Sequence, residues 1–502
     1  MKGSYRTIGL VTGVAALSSL AFAGTAAAHH AGNATAEPIT GCNQVVTASL
    51  TLTHNVGPCP NDGLFVPPDL TAVSDPAITI NLNGNKVYGL TSSTDANGSC
   101  ALDPYSASLG AGVHIEGRSN VTVQGAGTTR CFSGGVESRP VTDPVLEVVS
   151  EPADNNTVTG LTIEDNVGNV LSDWGEGIGI SGANGCTITN NTVTRNGPFA
   201  GIGLYGSSNC TVDGNIVSAN KFPVQAGRTN QDDGIRVEIN SADNIVTSNT
   251  VTGSGLDGIA LFSGATGNQV NSNTVKSNGY HTATHRKGDG IRLFSGANAN
   301  TLKSNTVGGS TATTPSEGNA ANGIYVASDN NNIGVDGSGG LGGNTVAGNA
   351  FTADSARGSL GGGIFLEGYL QGTTVVSADG NKVKANTVTN NSAHGIHVGG
   401  DNNDVGGSTI AQGNTATANA FSGILADAYA LTGAKAENNK VDGNSATGNN
   451  TSVGGWSNLH DLRADLKCGN VEGLPNKWGN LLANTGTKNR DPLVTLFPDC
   501  MS

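Results

Sequence analysis

The sequence predicts an all-β fold, a single-stranded solenoid whose coils stack short parallel strands, closed by caps at both ends. Three observations point there. A Gly-Ile phrase recurs at Ile178, Ile202, Ile235, Ile259, Ile291, Ile324, Ile364, Ile396 and Ile424, with gaps of 24 to 40 residues. Self-similarity at such a period marks stacked repeats, here a coil of about 24 residues with extra residues placed in loops. Gly supplies 75 of the 502 residues and Asn 57, with charged residues at only 13%, a mixture that helices disfavour because Gly costs backbone entropy and Asn prefers turns. Within each copy, Gly-Ile-x-Val/Leu and Asn-x-Val alternate every two residues, the period of a half-buried strand.

Residues 1–28 come first in order. Lys2 and Arg6, the apolar run Ile8 to Ala23 and the small residues ending at Ala28 form a secretory signal. Residues 29–109 are expected to hold the N-terminal cap and first coils, 110–450 the repeats and 451–502 a C-terminal cap shielding the last coil's open strand edge. No later run is apolar enough for a transmembrane helix. Export makes the eight cysteines a disulfide set. Sequence neighbours pair as Cys42 with Cys59, Cys100 with Cys131, Cys186 with Cys210, and Cys468 with Cys500, the last pair tying the C-terminal cap. Cys186 and Cys210 share one column of the repeat, at 210 − 186 = 24 residues, which puts them in adjacent coils. The net charge of −14 becomes −14 − 2 = −16 without Lys2 and Arg6. That repels nucleic acid and offers no global attraction to an anionic polymer, so any anion must be held locally.

Asn-Thr-Val recurs at Asn191, Asn249, Asn273, Asn305, Asn344 and Asn386. Amides stacked in register can hydrogen-bond along the solenoid, which accounts for the asparagine excess. Together these copies resemble right-handed parallel β-helix proteins of the pectin-lyase-like type, over residues 110–450. "ITINLNGNKVYGL" from Ile78 and "GVHIEGRSNVTVQG" from Gly112 resemble the first turns of secreted bacterial members. The resemblance implies the handed fold and is nearly silent about reaction, because function lives in the site grafted on the fold.

Alternation assigns directions. With Ile235 and Val237 inward, Arg236 and Glu238 point out, as do Tyr205, Phe262, Arg292, Phe294, Tyr325 and Phe365. Sugar rings stack on aromatic faces and guanidinium groups fork onto carboxylates, so an extracellular polysaccharide, acidic ones included, is the expected ligand. Loops packed over the aromatics are the plainer reading. The residue before Gly-Ile is Asp in three consecutive coils, at Asp233, Asp257 and Asp289. Asp before Gly is a common turn former. As chemistry, Asp233 and Asp289 lie two coils apart, about 2 × 4.8 Å, near the carboxylate separation of inverting glycosidases. Asp257 between two like charges would have its pKa raised and could act as an acid.

Asp232-Asp233-Gly234 also resembles the paired-aspartate motif of polygalacturonases and His394-Gly395 their His-Gly motif, but the order of coils differs and no Arg-Ile-Lys motif is present. The insertion carrying Tyr280, His281, His285, Arg286 and Lys287 resembles β-helix lyases, which take a proton with a basic residue beside a carboxylate; His285 and Lys287 are the candidates. Asp329 and Asp336 flank an Asn-rich loop whose spacing fits neither an EF-hand nor the Gly-rich calcium repeat, so no cofactor is expected and calcium stays open without a motif to support it. The expectation is a secreted, monomeric β-helix that binds, and as a hydrolase or lyase would cleave, a polysaccharide on the outer Gly-Ile sheet. Its alternative is a non-catalytic structural or adhesive solenoid.

Overall fold

The computed structural model describes residues 41–69, 76–91, 96, 98–100, 110–142, 149–168, 175–220, 233–279, 288–309, 317–349, 362–371, 374–426 and 438–449, with further strands at Leu466–Cys468, Lys477–Trp478 and Lys488–Arg490. Each coil adds one strand to each of three parallel sheets, of 15, 14 and 13 strands. The first sheet holds the Gly-Ile strands, Glu176–Ser181, Ala200–Tyr205, Asp233–Glu238, Ile259–Leu261 and Ile291–Phe294 among them. Ile178, Ile202, Ile235, Ile259 and Ile291 are successive partners in register, and all five are fully buried. The alternation therefore reads as expected: Ile faces the hollow of the coil. Strands of the type Thr250–Thr252 form the third sheet and Ile245–Thr247 the second, each giving its middle Val to the same continuous core. Burying each such side chain contributes about 1.5–3 kcal/mol.

Between coils the buried polar groups are satisfied by side-chain ladders. Asn273 shows the pattern. Its Oδ1 accepts from the Asn249 backbone N–H at 2.9 Å and from Asn249 Nδ2 at 3.0 Å, while its own Nδ2 donates to Val246 O at 2.9 Å and Asn305 Oδ1 at 3.0 Å. Parallel columns run through Asn244, Asn268 and Asn300 before the second sheet and through Asn196 and Asn220 after the third. Cys186 and Cys210 occupy the first of these columns as a disulfide with a Cα separation of 4.4 Å, and Cys210 N–H donates to Asn244 Oδ1 at 2.8 Å. Cys42–Cys59 and Cys100–Cys131 are also bonded. Cys500, the expected partner of Cys468, and the signal segment lie outside the described residues. Leu466–Cys468 and Lys488–Arg490 extend the first sheet beyond residue 450. No helix among the described residues is long and apolar enough to cross a membrane.

Candidate functional site

The Asp-Gly-Ile phrase is a structural sentence in which each residue has a separate task. Ile fills the core. Gly is required by close approach: a Cβ on Gly234 would lie 2.6 Å from Gly258 O and 2.3 Å from Val251 Cγ1, and Gly258 and Gly290 meet the next coil in the same way. Asp forms a ladder of its own. Asp233 Oδ1 accepts from Asp257 N–H at 3.0 Å, Asp257 Oδ1 from Asp289 N–H at 2.7 Å, and Asp289 Oδ1 from the backbone and side-chain amides of Asn322, both at 2.9 Å. All three aspartates are fully buried. Turn formation therefore understates their structural role, because each carries the backbone of the following coil.

The second carboxylate oxygens face the arginines. Arg236 Nη1 donates to Asp233 Oδ2 and Nη2 to Glu238 Oε2, both at 2.7 Å. Arg292 Nη1 reaches Asp257 Oδ2 at 3.4 Å, and its Nε lies 4.0 Å from Asp289 Oδ2. Burial opposes the charge on each guanidinium, yet the facing carboxylates hold both above the ordinary arginine value. Burial pushes the Asp233 carboxyl up to about 8, Arg236 pulls it down, and the neighbouring Asp257 carboxylate pushes it up again. At Asp233, burial outweighs the arginine.

Aromatic rings enclose the guanidinium groups. Arg236 Cζ lies 4.7 Å from the ring centroids of both Phe199 and Phe262. Arg292 Cζ lies 4.7 Å from Phe294, 5.4 Å from Tyr325 and 5.7 Å from Phe262. Ala260, in register between Arg236 and Arg292 and fully buried, is small enough to leave room for both. Phe262 and Phe294 meet edge to face, centroids 6.1 Å apart. Phe199 was missed by strand parity because it precedes its strand; a bulky ring directly before Ala-Gly-Ile was the available signal.

The outward directions hold, but the expectation of an exposed strip does not. Tyr205, Arg236, Glu238, Arg292, Tyr325 and Phe365 all are buried, and only Phe262 and Phe294 remain half-buried. The reason is spacing: long side chains on coils about 4.8 Å apart cover one another. Tyr325 and Phe365 stack with centroids 6.1 Å apart, and Phe365 meets His397 at 4.4 Å. The Tyr205 hydroxyl lies across Gly203, and burial, with the Glu176 carboxylate nearby, holds it well above its usual pKa. His394 sits three strands beyond Asp289 in the first sheet, so the aspartates and this His-Gly pair are not brought together. His285 and Lys287 lie outside the described residues. Among the described residues no three His, Cys, Asp or Glu are grouped to hold a metal ion.

What the arrangement offers is a water-poor cluster in which two guanidiniums face four carboxyl groups beneath two partly accessible phenylalanine rings. No curated protein matches the chain in sequence. Among solved structures, the A-module of the Azotobacter vinelandii mannuronan C-5 epimerase AlgE6 is similar over 76% of this chain and 85% of its own, at 13% identity and a TM-score of 0.46. The periplasmic alginate epimerase AlgG is similar over 83% and 77%, at 12% identity and a TM-score of 0.37. Pectate lyase Pel9A covers 65% and 67%, at 13% identity and a TM-score of 0.30. The family model described as "Right handed beta helix region" matches residues 77–351. That span exceeds half of the 502 residues, and with the three stacked parallel sheets it establishes the chain as a member of the right-handed parallel β-helix family.

Proposed function

We propose that the protein is an exported β-helix that binds a polysaccharide on the outer face of its first sheet, across the coils from Ala200–Tyr205 to Ile291–Phe294. One observation carries the reading. A ladder position needs only an acceptor oxygen, which Asn supplies without charge in the buried columns beside the second and third sheets, while the carboxylates of Asp154, Asp329 and Asp379 serve as acceptors only where they are half-buried. Three consecutive coils instead use fully buried Asp, in the stretch that also holds both arginines and the half-buried Phe262 and Phe294. Burying charge costs stability unless it is paired, so three consecutive fully buried carboxyl groups, at a depth where the other columns use neutral side chains, point to a site. Three disulfides among the described residues favour an oxidising compartment.

The ligand is a neutral polysaccharide rather than an acidic one. Arg236 already spans two carboxylates and Arg292 faces two more, which leaves no net positive charge for a uronic acid. Phe262 and Phe294 supply the stacking surface. Cleavage is a second reading, favoured by Asp233 alone, whose raised pKa lets it carry a proton near neutral pH. Its full burial places it behind Arg236 and favours binding over turnover.

The test is a glycan panel read by binding, by new reducing ends and by unsaturated-end absorbance. Binding to a neutral glycan should weaken about tenfold when Phe262 and Phe294 are both changed to Ala, the equivalent of about 1.4 kcal/mol of lost stacking. No bound glycan, or binding untouched by that double change in a folded protein, would leave the structural solenoid as the better account.

A further inference from the structure

The outer face of the first sheet has a break in it. At the outward position between the two core residues of each strand, Phe65, His114 and Glu137 are followed by Gly179 and Gly203, and these by Arg236, Ala260 and Arg292, all in register from coil to coil. From Phe65 to Leu425, among the described strands, no other glycine stands in this column. The backbone does not require either of them. Neither has a positive φ, and neither lies where the next coil comes close, as Gly177, Gly201 and Gly234 do, on each of which a Cβ would press against a carbonyl oxygen of the following coil. On Gly179 a Cβ would meet the Glu176 carboxylate instead, and on Gly203 the hydroxyl end of the Tyr205 ring. Glycine weakens a strand interior, so these two are explained by the side chains for which they make room.

Glu176 opens the strand Glu176–Ser181 and reaches forward, whereas Tyr205 closes Ala200–Tyr205 and reaches back. Gly179 and Gly203 are partners on adjacent coils, so the carboxylate and the phenol end over neighbouring floor positions about 4.8 Å apart. The two differ in exposure. Tyr205 is only 9% exposed, its ring stacked on Phe199 with centroids 5.6 Å apart, while Glu176 is half-buried and gives the notch its open side. Burial first, and then the Glu176 carboxylate, hold the Tyr205 hydroxyl protonated and so a donor, yet it makes no hydrogen bond of good geometry among the described residues. Arg236, on the strand facing Gly203, has in its Nε a second buried donor without such a bond. Buried donors are nearly always satisfied, because one left unpaired costs its full desolvation. Two of them at the one break in this face call for an oxygen atom that the chain itself does not supply.

We propose that this glycine-floored notch takes the hydroxymethyl arm of a hexose unit, so that the protein selects polymers of neutral hexoses over polymers of pentoses. The inference rests on the polysaccharide reading above and extends that face by one coil, to Glu176. The primary hydroxyl is the one that stands on a carbon projecting from the sugar ring, and so the one able to enter a recess while the ring itself lies on the face. A hydroxyl both donates and accepts: it donates to the Glu176 carboxylate and accepts from the Tyr205 hydroxyl. A uronic acid carries a carboxylate at the same carbon, which beside Glu176 would set two like charges together. A pentose lacks the arm altogether and leaves the Tyr205 donor unpaired. Phe262 and Phe294, two and three coils further on, stack other units of the same chain whatever their substituents. Stacking thus supplies affinity, and the notch supplies the choice of sugar.

The full exported protein should be titrated calorimetrically with cellohexaose, mannohexaose and xylohexaose, the last of which has the linkage of cellohexaose and lacks only its hydroxymethyl groups. The wild type should bind at least one of the two hexose oligomers about tenfold or more tighter than xylohexaose, the discrimination expected where a site is built to hydrogen-bond a hydroxyl. Tyr205→Phe, which removes one oxygen, and Glu176→Gln, which removes the charge at constant volume, should each lower hexose affinity by about tenfold and leave xylohexaose unchanged. Thermal melts establish that each variant folds, and the half-buried Glu176→Gln carries the test if Tyr205→Phe does not. Equal affinity of the wild type for xylohexaose and the hexose oligomers overturns the proposal. So does a loss in the two variants that is the same for all three oligomers, which would assign the pair to the shape of the face. Binding that falls with Phe262→Ala and Phe294→Ala but not with Tyr205→Phe or Glu176→Gln overturns the notch and leaves the polysaccharide reading standing. Binding to none of the three also overturns the notch, and the broader glycan panel then decides the polysaccharide reading by itself.

Discussion

Replacing Asp233 by Asn tests the electrostatics of the buried column directly. Asn keeps the Oδ1 acceptor that receives Asp257 N–H at 3.0 Å, and Arg236 retains Glu238 at 2.7 Å. What changes is the proton. The folded pKa of Asp233 is raised from 3.8 to about 8, so between those values the folded protein holds a proton that the unfolded chain has released. The sign follows from linkage: the native state binds more protons, and this contribution to stability is fully present below about pH 4 and lost as pH rises to about 8. Within the window the slope approaches 1.4 kcal/mol per pH unit for one group, from the free energy of one pKa unit. The wild type minus Asp233→Asn difference in urea-unfolding free energy, measured from pH 4 to pH 9, isolates it. The difference should fall with pH and flatten above the raised value. A flat difference would refute the raised pKa, and a difference that rises with pH would show that the Arg236 pair dominates and keeps the carboxylate ionised.

Two further outcomes follow from the packing. Asn273→Ala strips partners from the Asn249 amide and from Val246 O; at about 1–3 kcal/mol for each orphaned buried group, chemical denaturation should show a loss of at least about 3 kcal/mol, whereas Thr306→Ala on the exposed face should stay within about 0.5 kcal/mol. Ala260→Leu inserts bulk between Arg236 and Arg292 and should cost about 1–3 kcal/mol as overpacking; glycan binding should weaken more than it does for Thr301→Ala on the second sheet, and equal effects would separate the arginine cluster from binding.

The solenoid itself was legible in the sequence. Strands repeat at fixed intervals and side chains alternate with a period of two, so Ile235, Ile259 and Ile291 could be placed in one inward column and Cys186 beside Cys210 before any coordinates. Both inferences need only local periodicity and a constant rise between coils. The outward direction of Arg236, Phe262 and Arg292 was legible for the same reason. Their surroundings were not. Whether an outward side chain meets solvent depends on what the coils above and below place against it, and those neighbours are 24 to 32 residues away in the chain. Only the tertiary structure put Phe199 on Arg236, turned each Asp oxygen onto the next coil's N–H, and consumed the guanidiniums within the protein. Periodicity determines which way a side chain points; cover, charge pairing and pKa are decided by three-dimensional neighbours.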